Sequence, residues 1–229
     1  MNIVNTERRL GVVFSALERH EIPVSKMVEL SKSDPNVGLG EARLKKLRLK
    51  IFRVILDYLE GEGYPGDRED HKEVNIHDLV LFVIFPVLLE FKRTTKRNLL
   101  LRREKEIVAT DTNTGGNQEF ACIETGTEND DFVFVVEAKR AKLASAKVQC
   151  LLALRDMSDN NGGGRVSYGF TTTGDEWQFF RFDGASFIQS EPFTVLFPDM
   201  AVSKKKWLEE SAIIVDCVNA ALKCGGPGI

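Results

Sequence analysis

Cysteine and histidine are scarce in this chain, at four and three of 229 residues. Cys122, Cys150, Cys217 and Cys224 include no Cys-x-x-Cys pair and have no histidine cluster to join, which argues against a zinc site and a disulfide framework and suits a reducing compartment. His20, His71 and His77 show neither triad nor ligand spacing, so no chemistry is assigned to them. Gly-x-Ser-x-Gly and His-Glu-x-x-His are both missing, which removes the hydrolase and metalloprotease readings those motifs would support. The glycines at 162–164 follow a helix-like segment and lack a Lys-Ser/Thr sequel, so they read as a loop and not a phosphate cradle. The apolar residues 79–89 reach about half the length a bilayer requires, and Pro86 interrupts them. They read as a buried helix, and no membrane partner is expected. The first ten residues carry Asn, Thr, Glu and Arg where a signal peptide would be apolar, so an intracellular protein, cytoplasmic or nuclear, is expected.

An excess of positive charge is lacking too. The formal charge is −3, so any attraction to nucleic acid must come from local patches. Two exist: Arg43, Lys45, Lys46, Arg48, Lys50 and Arg53, and then Lys92, Arg93, Lys96, Arg97, Arg102 and Arg103. Either alone also fits a solvated helix face.

What is present is ample apolar material, 43% of the chain, enough for a core of medium size. Residues 6–20 and 41–60 carry apolar side chains at helical spacing, as in Leu44, Leu47, Ile51, Val54 and Ile55. The Gly- and Pro-containing stretch after them is the clearest break. The expected plan is a helical N-terminal region over 1–60, a linker over 61–74, a sheet-containing domain over 75–223 and a disordered tail over 224–229. Within the domain, Asn75 or Asp78 can cap a helix running to about residue 94. An extended piece over 98–111 should lead to a turn at Thr114, Gly115 and Gly116. A hairpin with arms 119–124 and 131–139, a helix over 141–157, three meandering strands over 166–189 and a closing helix over 203–222 should follow. This is an α/β, or α+β, arrangement. Trp177, Phe179 and Phe180 read as sheet packing.

One segment carries chemistry. Val133, Phe134, Val135 and Val136 form an apolar strand that ends in Glu137, Ala138 and Lys139. An acid and a base two residues apart on a strand share a face, so the carboxylate can hold a divalent metal beside the ammonium. That arrangement suits attack of a metal-activated water on a phosphodiester. Glu90, Phe91 and Lys92 repeat the spacing, but in a helical context where positions i and i+2 diverge.

With a hairpin, a Glu-x-Lys strand, a following helix and a later aromatic strand in this order, residues 75–223 resemble the PD-(D/E)XK superfamily of restriction-endonuclease-like nucleases. Gly116, Asn117, Gln118, Glu119, Phe120 and Ile123 stand where such proteins read Gly-x-x-Asp-Phe-x-x-Ile, with Glu119 in place of the Asp. The stretch from Tyr168 to Arg181 is similar to nuclease-like domains of type I restriction subunits and crinkler-like effectors. The resemblance implies a mixed central sheet flanked by helices; it says nothing of residues 1–60, which read from their own spacing as a helical annex. It implies Mg²⁺ or Mn²⁺ held by Glu119, Glu137 and the Ala138 carbonyl, with Lys139 orienting the attacking water. It adds Gln149 in the next helix as a contact to substrate or water. It also adds a glutamate from the helix before the hairpin, for which Glu90 is the first choice and Glu104 or Glu106 the next. Lys92, Arg93, Lys96, Arg97 and Arg140 become the nucleic-acid contacts.

The geometric condition can be stated in advance. Glu119 faces Glu137 only if antiparallel partners sum to 256, which would also set Glu124 opposite Phe132; an odd sum parts the two acids. The expected function is a metal-dependent nuclease acting on DNA ahead of RNA. The alternative is an inactive nuclease-fold module that binds nucleic acid or a protein partner. A homodimer through the 79–89 helix and the last helix is a further expectation.

Overall fold

The computed structural model describes residues 3–31, 38–64, 72–108, 116–126, 130–140, 143–163 and 165–226. The expected turn at Thr114 and Gly115, the centre of the linker and the tip of the hairpin lie outside them. Helices α1 (Ile3–Leu10), α2 (Phe14–Arg19), α3 (Val24–Leu30), α4 (Glu41–Glu62) and α5 (Glu73–Thr95) come first. Strands β1 (Leu99–Ile107), β2 (Gly116–Thr125) and β3 (Asp130–Ala138) follow, then α6 (Leu143–Asn160). Next come β4 (Ser167–Thr172), β5 (Glu176–Phe182), β6 (Phe187–Gln189) and β7 (Phe193–Thr194). A short α7 (Lys204–Lys206) runs through a π-turn into α8 (Ile213–Cys224).

The helix expected over 6–20 is two helices, because Gly11 takes φ +67, a left-handed conformation that ends α1. α5 starts earlier than expected. The Asn75 side chain accepts the Lys72 backbone N–H at 2.9 Å, which fixes the first turn and brings Glu73 into the helix. By length and composition α5 could cross a membrane, yet its Ile76, Leu79, Val80, Val83, Ile84, Val87, Leu88 and Phe91 are buried in the core.

The fold is mixed α/β: an open, mostly antiparallel sheet of seven strands, ordered β1 to β6 with β7 also on β5. β3 and β4 alone are parallel, which forces a crossover, and α6 provides it. One face of the sheet packs on α4, α5 and α8 through Phe120, Cys122, Phe134, Val136, Phe170 and Phe179. Met27, Leu44, Ile51 and Ile55 belong to the same cluster, so the N-terminal helices share the domain's core. The other face carries Ala121, Ile123, Val135, Phe180 and Phe182 against α6, with Leu10 and Leu17 at its margin. On that face Gly169 lies directly beneath the Cys150 thiol, with no room for a methyl group.

β2 and β3 pair at a sum of 256 through Phe120↔Val136, Ala121↔Val135 and Cys122↔Phe134. Between Cys122 and Ile123 a bulge shifts the ladder, leaving Glu124 opposite Asp131 and not Phe132. Val133 and Phe134 consequently both enter the α5-side cluster, where strict alternation would part them. The closing helix runs past its expected end, through Cys224. Gly225 and Gly226 pack on Val133, and the Arg97 guanidinium reaches the Gly225 carbonyl at 3.2 Å, so the expected disordered tail is ordered through Gly226. Of the two helices expected to form a dimer face, α8 is taken up inside the fold, buried against α5 and β3.

Candidate metal centre

The site forms where β2 and β3 part and the first turn of α5 passes over them. Phe120↔Val136 is the last pair of the β2–β3 ladder, and Glu119 stands just past it on the 256 register, level with Glu137. The Lys139 N–H points to β4, bonding Thr172 O at 2.9 Å, so the Ala138 N–H points to β2. The Glu119 carboxylate accepts that N–H at 2.6 Å, filling the place of a ladder carbonyl. It also accepts the Lys139 ammonium and lies 3.2 Å from His77 Nε2. Lys139 reaches Glu73 at 3.2 Å. Burial holds the His77 imidazole below its ordinary pKa, opposed by Glu73 and helped by Arg103 and Lys139, so the neutral ring prevails at pH 7. The ring packs edge-on against Phe120, with centroids 5.2 Å apart.

Among the described residues, potential ligand atoms of Glu73, His77 and Glu119 lie within 4.8 Å of one another. Two carboxylates and a neutral imidazole can hold a divalent cation, and the donor set suits Mn²⁺ at least as well as Mg²⁺.

Glu137 stands outside that group of three. It is 1% exposed, and among the described residues its Oε1 has no hydrogen-bond partner. Burial, with the charge of Glu73 adding to it, pushes its carboxyl up to about 8. A buried carboxylate oxygen left without a partner is rare, because it loses water and gains nothing in return. A cation is one group that can satisfy it.

Glu90 sits toward the other end of α5, about 20 Å along the helix from His77, and pairs with Arg43. Its place beside the hairpin is held by Glu73, which the sequence had assigned to the linker. Glu104 and Glu106 are exposed on β1. Gln149 is exposed on α6 and makes no hydrogen bond to Glu119, Glu137 or Lys139. Arg140 is exposed directly after Lys139. Arg97 serves structure: its guanidinium binds Glu124 at 2.6–3.1 Å and the Leu222 and Gly225 carbonyls. Lys92, Arg93 and Lys96 lie toward the far end of α5 from the carboxylates.

Sequence reasoning missed Glu73 and His77. Their i, i+4 spacing on one helix face was the available signal. Comparison with protein-family models, with curated proteins and with solved structures finds no match to this chain.

Proposed function

We propose that the protein is a metal-dependent nuclease of restriction-endonuclease-like fold that hydrolyses phosphodiester bonds, in DNA ahead of RNA. The observation that carries this reading is Glu137: a buried carboxylate with a partnerless oxygen, on the register of Glu119 and two residues from Lys139. The order of elements supports it. A helix bearing an acid, a hairpin with an acid on each arm, a crossover helix and a parallel strand form the series α5, β1, β2, β3, α6, β4. Glu73 then fills the position of the glutamate in the helix before the hairpin.

Glu73, His77 and Glu119 would hold the cation, and Glu137 would join them once ionised. The bound ion would supply Lewis-acid stabilisation of the phosphate and an acidified water. The chain's own residues set the rest. Glu119 fixes the end of β2 through the Ala138 N–H, which positions Glu137 and Lys139 relative to each other. Lys139, held between Glu119 and Glu73, presents an ammonium that orients the nucleophilic water and balances charge building on the phosphate. His77, neutral at pH 7, offers a lone pair without adding positive charge.

The second reading, an inactive module of the same fold, has one observation in its favour. Glu119 is engaged with a backbone amide, an ammonium and an imidazole, which is a complete structural role without a metal. Incubating the purified protein with supercoiled DNA and with RNA, in Mg²⁺ and in Mn²⁺, separates the two. The nuclease reading expects cleavage that Glu137→Ala and Lys139→Met each abolish, and thermal stabilisation by Mn²⁺ that Glu119→Ala reduces. Intact substrates under all conditions, with no metal-dependent shift in Tm, would sink it.

A further inference from the structure

Part of each basic stretch of the sequence lies on one surface. α4 packs along α5 with a cleft between them, and a second cleft adjoins it at the C-terminal end of α5. Arg43, Lys46 and Lys50 line one cleft, and Lys92 and Lys96 line the other. Leu89 and Arg93 border both, which joins them into a single track. Among the described residues, the only carboxylate on its walls, Glu90, is paired with Arg43. Lys46, Lys50, Lys92, Arg93 and Lys96 have no ion-pair partner among the described residues.

On a chain of net charge −3, this local concentration of cations is the opposite of the global trend. Lys46 and Lys50 are one helical turn apart, as are Lys92 and Lys96. Four residues rise about 6 Å, close to the roughly 7 Å rise of two phosphate steps on one strand of a duplex. The cations line a recess between α4 and α5 and its continuation at the end of α5. Among the described residues the single exposed ring nearby, Phe85, falls short of the broad apolar face of a membrane-surface helix.

We propose that this α4–α5 face is a docking track for the phosphate backbone of duplex nucleic acid, separate from the carboxylate cluster. Lys92 lies about 22 Å along α5 from His77, and Lys96 about 28 Å, so one duplex touching both sites spans roughly 7–8 base pairs between them. The track stands whether or not the cluster cuts.

The test is fluorescence anisotropy with a labelled 30-base-pair DNA duplex in EDTA, titrated with KCl. The quadruple variant Lys46→Gln, Lys50→Gln, Lys92→Gln, Lys96→Gln is expected to lose at least about tenfold in affinity. The slope of log affinity against log salt should become shallower by about 3–4, one for each phosphate contact removed. The double change Arg155→Gln, Arg165→Gln, on residues outside both clefts, should leave both quantities unchanged. Circular dichroism checks that the variants are folded, which exposed glutamines on helix surfaces should permit. Wild-type affinity and slope in the quadruple variant would overturn the proposal. So would binding to phosphatidylserine vesicles with no binding to the duplex. A protein that ignores Mn²⁺ but loses duplex binding in the quadruple variant would end the cutting reading and leave this one standing.

Discussion

Replacing Glu137 by glutamine should make the protein more stable at alkaline pH and remove most of its pH sensitivity above pH 5. The Glu137 carboxyl has an ordinary value of 4.5 and is pushed up to about 8 by burial, with Glu73 adding to it. The folded state therefore keeps a proton that the unfolded chain releases. Stability is full below about pH 4.5, declines as pH rises, and reaches its lower limit above about pH 8. At about 1.4 kcal/mol for each tenfold change in proton affinity, the loss is on the order of 5 kcal/mol. That is comparable with the whole stability of a small domain. Glutamine keeps the shape and carries no charge, so its profile should lack this decline. Asp216, also raised by burial against the pull of Arg48, is common to both proteins and cancels in the difference. Urea unfolding from pH 5 to 9, followed through the buried Trp177 and Trp207, measures it. Parallel profiles for Glu137→Gln and wild type would refute the reasoning, because they would place the carboxylate in contact with water.

Gly169→Ala should destabilise by about 1–3 kcal/mol, since its new methyl group meets the Cys150 thiol; adding Cys150→Ala should restore most of the loss in a thermal-melt double-mutant cycle. Arg97→Ala should cost about 3–5 kcal/mol in urea unfolding, because it strands Glu124 and two carbonyls at the end of α8, and Arg97→Lys should recover only part of it. Asn161→Ala should cost about 1–3 kcal/mol by the same measurement: its side chain accepts the Phe132 N–H at 2.9 Å and donates to the Phe132 carbonyl at 2.8 Å, acting as a substitute strand beside β3.

The hairpin, the crossover helix and the later meander were legible because each depends on local spacing. Val133 to Val136 are an unbroken β-branched and aromatic run that reads as a strand buried on both faces, and α6 carries apolar residues at helical intervals up to its polar stop. The register that faces Glu119 toward Glu137 was legible as a condition. The bulge that releases it beyond Cys122 was not, since it arises where Val133 and Phe134 both find room against the α5-side core.

Sequence alone thus determined the main elements from residue 41 on, their order, and the presence of an acid on each hairpin arm with a lysine nearby, because periodicity and side-chain chemistry belong to neighbours along the chain; α3 and β7 were not among them. Tertiary packing decided which helix end overhangs the strand ends, and so chose Glu73 and His77 over Glu90. It buried Glu137 with an oxygen unpartnered among the described residues, gave Arg97 to the C-terminal helix, and brought parts of two distant basic stretches side by side. Those outcomes depend on how far residues remote in sequence approach one another and how much water they exclude, quantities set by helix-on-sheet packing and by no short run of residues.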